Sequence, residues 1–192
     1  MGTLKTTNIQ SISGSGTVTL GVSGETFTVP SGVTVNMSSA TQTGVGGDNT
    51  PAFEAFLSSD TSQLSNDTDT KITFDTEIYD SDGTYDTSNG RFTPAVAAKY
   101  FIYGRLEFED SNVSATDEHM VKIFKNGSQA SVFFTQDSAK HGLISYHEVF
   151  DLGSSDYIEI YAKINNSDGA RIINGLPVNQ KASTFGAYKL IT

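Results

Sequence analysis

The sequence predicts an all-β protein whose main body is a ten-stranded, two-sheet sandwich or jelly roll. Three observations predict it. No window sustains a helical period. Short runs rich in Val, Ile, Thr, Phe and Tyr recur between clusters of Gly, Ser, Asp and Asn. The segment from Tyr100 to Phe108 alternates so that Tyr100, Ile102, Gly104, Leu106 and Phe108 share one face, with Phe101, Tyr103, Arg105, Glu107 and Glu109 on and beyond the other.

The elements follow in order. Residues 1–37 carry three short candidate strands, at 16–20, 26–29 and 33–37, separated by Gly, Ser and Pro-Ser-Gly. They hold too few large apolar side chains to make a core alone. They read as a β-rich attachment or stem segment. Residues 38–50 (Ser-Ser-Ala-Thr-Gln-Thr-Gly-Val-Gly-Gly-Asp-Asn-Thr) are a flexible linker, and the domain boundary is placed there. The main domain then runs over 51–192. Its strands are expected at 52–57, 71–75, 77–79, 91–92, 100–108, 119–125, 130–136, 143–152, 157–164 and 184–191. Asn126-Gly127 between two of these predicts a tight hairpin, because a type I′ turn needs positive φ at both central residues. Gly153-Ser154-Ser155-Asp156 reads as a second turn. Ile158, Ile160, Ala162 and Ile164 alternate with polar and aromatic neighbours and are expected in the core.

Composition narrows the function. The 192 residues carry a net charge of −10, which argues against nucleic acid as a partner. Between Asp48 and Asp86 there are ten acids and one base, Lys71. No apolar run approaches the roughly 20 residues of a membrane span, so membrane insertion is not expected. There is no cysteine and no tryptophan. Disulfides therefore play no part, and the composition suits folding in a reducing cytoplasm. The first residues show no secretory signal.

Nothing in the sequence reads as an active site. The three histidines, His119, His141 and His147, form no metal-ligand spacing. No nucleophile elbow or phosphate loop occurs. Asp80, Asp82 and Asp86 sit in a polar turn, too solvated for the paired acid chemistry of a glycosidase. Asp80-Ser81-Asp82-Gly83 matches the first half of a calcium loop, so Asp80 and Asp82 are the candidate calcium ligands, but Arg91 stands where the loop would need a closing acid. No other cofactor is expected.

Several pieces together resemble a known family. They are Pro51-Ala52-Phe53-Glu54-Ala55-Phe56-Leu57, Ile72-Thr73-Phe74-Asp75, Tyr85-Asp86 and Gly90-Arg91-Phe92-Thr93-Pro94. Ala97-Ala98-Lys99-Tyr100-Phe101, Lys125-Asn126-Gly127 and Ser183-Thr184-Phe185-Gly186-Ala187-Tyr188 complete the set. In this order they resemble the globular head of complement C1q and its tumour-necrosis-factor-like relatives, across 51–192. Ala187 stands where the family usually has glycine, and no collagen-like Gly-X-Y stalk precedes the domain. The resemblance implies a jelly roll that trimerises about a threefold axis.

The residues supply a physical reason for trimers. Phe101, Tyr103, Phe124, Tyr157, Tyr161 and Tyr188 are expected on faces turned away from the core, and they are the candidate trimer interface. A register slip of one residue would instead put them inside. The function this points to is a non-enzymatic homotrimer on a virion surface: a phage tail fibre, head fibre or decoration protein. Residues 1–37 are similar to phage tail-fibre segments and would join other virion proteins. The head would bind a host-surface glycan or protein through loops near 110–118, 137–141 and 165–176. The alternatives are a capsid- or tail-cementing protein without a receptor, and a secreted ligand or adhesin.

Overall fold

Alternation along one long strand organises the sandwich. In the computed structural model, residues 98–110 form a single strand. Along it Tyr100, Ile102, Leu106 and Phe108 are fully buried, while Phe101 and Tyr103 are only partly covered. The expected register holds. The structure describes residues 26, 28–34, 49–110, 118–136, 141–166, 169, 171–177 and 179–191.

The chain divides into two units, Met1–Val45 and Gly46–Thr192. In the first, the Val33 amide donates to the Pro30 carbonyl at 3.3 Å and closes the expected Pro-Ser-Gly turn. The described residues beside that turn form no strand, and the remaining strand positions expected over 1–37 lie outside the described residues.

The second unit is all β, with twelve strands among its described residues. In chain order they are β1 (Ala52–Phe56), β2 (Thr70–Lys71), β3 (Thr76–Asp80), β4 (Tyr85–Asp86), β5 (Arg91–Phe92) and β6 (Ala98–Asp110). Then come β7 (Glu118–Lys125), β8 (Ser128–Gln136), β9 (His141–Leu152), β10 (Ile158–Asn165), β11 (Arg171–Ile173) and β12 (Thr184–Lys189). One sheet runs β9–β6–β12–β1–β3, with β11 beside the far end of β6. The other runs β8–β7–β10–β5–β4, with β2 beside β10. Every pairing is antiparallel. The strand expected over 71–75 pairs only at Thr70–Lys71, and β4 and β11 are additions to the ten expected.

The inward faces of the two sheets make one apolar core. Phe53 sits at its centre, fully buried. Its ring stacks on Tyr85 at 4.6 Å and Phe92 at 4.9 Å, and meets Phe185 edge-on at 4.9 Å. Ile158, Ile160, Ala162 and Ile164 are all fully buried, as their spacing predicts. The β7–β8 hairpin turns at Asn126 and Gly127, with φ of 53° and 77°, the two positive values a type I′ turn requires.

Candidate assembly and binding face

The outward face of the β9–β6–β12–β1 sheet carries an apolar surface built by register. Glu54 on β1 pairs with Gly186 on β12, Gly186 with Tyr103 on β6, and Tyr103 with His147 on β9. On β3, Tyr79 extends the same row. One step along, Phe101 pairs with Tyr188 and Val149. The rings of Phe101 and Tyr188 lie 5.4 Å apart, Phe101 and Tyr103 6.0 Å, Tyr103 and Tyr188 6.1 Å, and Phe101 and His147 6.0 Å. Phe101, Tyr103 and Tyr188 thus form one patch, with 49% of Val149 and 43% of Tyr79 exposed beside it.

A hollow of about 650 Å³ opens on this face between β6, β12 and the segment 179–181. The Arg105 guanidinium holds that segment, donating to the Ala182 carbonyl at 3.2 Å and the Lys181 carbonyl at 2.6 Å. The Tyr103 hydroxyl donates to Glu54 Oε2 at 3.4 Å and lies 3.3 Å from the Tyr79 hydroxyl. Lys181 Nζ stands 3.9 Å from Glu54 Oε1. Burial above all, then Tyr79 and the Glu54 charge, push the Tyr103 phenol well above the usual tyrosine range.

The other three expected interface aromatics lie elsewhere. Phe124 on β7 and Tyr161 on β10 belong to the second sheet, stacked at 4.1 Å on its outward face. Tyr157 precedes β10, and Arg91 Cζ sits 3.8 Å from its ring centre. Ion pairs bind this face together: Glu159 is 4% exposed, 3.3 Å from Lys71 and 2.9 Å from Arg91, while Lys122 stands 2.6 Å from Asp69 and Lys163 2.6 Å from Asp67. The structure therefore splits the six aromatics, three to each side of the sandwich. Strand alternation showed that they point outward. It carried no information on which sheet each strand joins.

The expected calcium ligands have other work. Asp80 Oδ1 accepts from the Asp82 amide and the Thr84 hydroxyl, both at 3.2 Å, and Oδ2 from the Tyr85 amide at 2.8 Å. Asp82 accepts from Ser81 Oγ at 2.5 Å. These are turn-capping bonds. Among the described residues no group of three or more His, Asp or Glu side chains is placed to hold a metal ion. His119 is fully buried, its ring stacked on Phe108 at 5.0 Å and its Nε2 3.5 Å from Asp110. His141 is half exposed, and His147 lies on the aromatic face. Of the three expected binding loops, 111–117, 137–140, 167–168 and 170 lie outside the described residues.

The model of the C1q domain family matches residues 52–189. The chain belongs to the C1q family. Solved structures share the fold at low identity. The globular domain of zebrafish complement 1qA protein aligns with a TM-score of 0.53 and 17% identity, over 74% of this chain and 98% of its own. Murine APRIL at pH 8.0 aligns at 0.52 and 16%, over 72% and 98%. No curated protein matches the chain. C1q domains are typically trimeric, ligand-binding and non-enzymatic.

Proposed function

We propose that this C1q domain is a homotrimeric, non-enzymatic binding head displayed on the surface of a virus particle. The observation that carries the trimer is the Phe101–Tyr103–Tyr188 patch, an outward aromatic surface with a hollow beside it. Each copy lays this face against its neighbours, and the second sheet, laced by ion pairs, stays turned to solvent. Three copies of one shallow site on a rigid body then bind a repeated host-surface glycan or protein by avidity.

The lack of cysteine, the acidic balance, and the Thr-, Val- and Gly-rich segment 1–37 support placement on a phage fibre or head decoration, with 1–37 joining other virion proteins. Sedimentation of the full chain at micromolar concentration tests the assembly, which predicts a trimer; a folded monomer refutes it. Labelled trimer added to host cells tests the head: saturable, competable binding is expected. Its absence from a protein that purifies within particles assigns a cementing role instead.

A further inference from the structure

His147 lies on the face through which the trimer is proposed to close, its ring 6.0 Å from Phe101. We infer that His147 makes assembly proton-sensitive, so that mild acid loosens the contact between copies. The inference rests on the proposed trimer through this face.

His147 sits at the β9 end of the row Glu54–Gly186–Tyr103–His147, its ring 6.0 Å from Phe101. Its neighbours on this face are apolar, neutral or cationic. Across on β6 they are Tyr103, with Phe101 and Arg105 on the diagonals. Along β9 they are Ser145 and Val149. Tyr188 on β12, and Lys181 paired with Glu54, line the far side of the same hollow.

Among the described residues no acid stands next to His147 on this face. Glu54 shares the row but lies three strands away, about 14 Å at ordinary strand spacing. It is already engaged by Tyr103 and Lys181. Asp151 lies four residues along β9, about 13 Å off, and is paired in register with Lys99. Glu107 faces His141 at 3.9 Å, at the other end of the strand. Glu148 points the other way and accepts from Ser131 on β8. Proton uptake would thus add a cation beside Arg105 on a face that the proposed trimer takes out of water. Burying an unpaired charge is unfavourable. Histidine is the side chain whose charge changes between about pH 5 and 8. The unprotonated ring packs as one more aromatic, and the protonated ring opposes closure.

The test is the ratio of trimer dissociation constants for the full chain at about pH 5.5 and about pH 8, measured by sedimentation with circular dichroism following the fold. The constant should rise by at least about tenfold in acid if the protonated ring opposes closure. In His147→Phe, and in the neutral polar His147→Gln, the ratio should fall to near one. Equal trimer strength at both pH values in the unaltered chain overturns this inference and leaves the trimer standing. So does an undiminished ratio in both variants, or acid dissociation that coincides with loss of the folded signal. A monomer at every pH refutes the assembly itself.

Discussion

The ring of Tyr103 lies across the bare Cα of Gly186: a Cβ at that position would stand 2.5 Å from Tyr103 Cζ and 2.7 Å from its hydroxyl oxygen. Tyr103 on β6 crosses β12 to reach Glu54 on β1 because the strand between offers no side chain. The absence of a side chain at 186 shapes the apolar face as much as the aromatics do.

Gly186→Ala is therefore expected to leave the protomer folded and to weaken the trimer. The far end of a flexible side chain can swing away, losing its bond to Glu54 at roughly 1 kcal/mol. Gly104→Ala is the contrast, since its Cβ would stand 2.2 Å from the Thr184 carbonyl oxygen, which is backbone. That variant should lose roughly 1–3 kcal/mol or more of protomer stability. Urea unfolding and sedimentation of the two variants separate the effects. Equal damage to the fold by both would refute this account.

The two aromatic faces can be told apart by charge. Phe101→Asp puts a carboxylate inside the patch that copies bury against one another, and should weaken assembly by at least roughly thirtyfold, about 2 kcal/mol. Tyr161→Asp, on the opposite side of the sandwich, should leave the trimer constant unchanged within about twofold and affect only protomer stability. If Tyr161→Asp dissociates the trimer and Phe101→Asp does not, the interface lies on the second sheet.

Those two residues also mark what the sequence could convey. Period-two alternation placed Tyr100, Ile102, Leu106 and Phe108 inward and Phe101 outward, because a strand with one wrong register would bury Arg105 and Glu107. The same alternation placed Tyr161 outward, but sheet membership depends on long-range pairing that no local pattern encodes. That is why Phe101 and Tyr161, grouped together from the sequence, lie on opposite sheets. β4 and β11, of two and three residues, are too short to show a period, and their pairing with β5 and β6 defines them. The Asp80 turn displayed the residues of a cation loop, yet its carboxylate oxygens bond within the turn. His147 gave no motif; its place emerges only once β9 lies against β6.

Core substitutions should act on every copy equally and independently of assembly. Phe53 is fully buried against Tyr85, Phe92 and Phe185. Phe53→Ala leaves a cavity between the two sheets and is expected to cost about 3–5 kcal/mol. A lower urea midpoint with an unchanged slope is the expected result. A loss below about 1 kcal/mol would mean that the two sheets close over the gap, contrary to a rigid core.

The turn at Gly153–Asp156 predicts an acid dependence with a definite sign. The Asp156 carboxylate accepts from Asn126 Nδ2 at 2.8 Å and the Gly153 amide at 2.9 Å, and pairs with Lys125 Nζ at 2.9 Å. The Asn126 bond first, then Gly153 and Lys125, hold its pKa down at about 2. An unfolded chain's aspartate titrates near 3.9. The folded form therefore binds its proton later, and its stabilising contribution is present in full above about pH 4 and lost as pH falls toward about 2. Asp156→Asn cannot ionise and lacks the Lys125 pair. It should be less stable than the unaltered chain by a constant margin above about pH 5, and the two should converge as acid is added through that window. Urea midpoints at stepped pH read this directly. A margin that widens on acidification would show that the carboxylate is not what ties the β7–β8 hairpin to the start of β10.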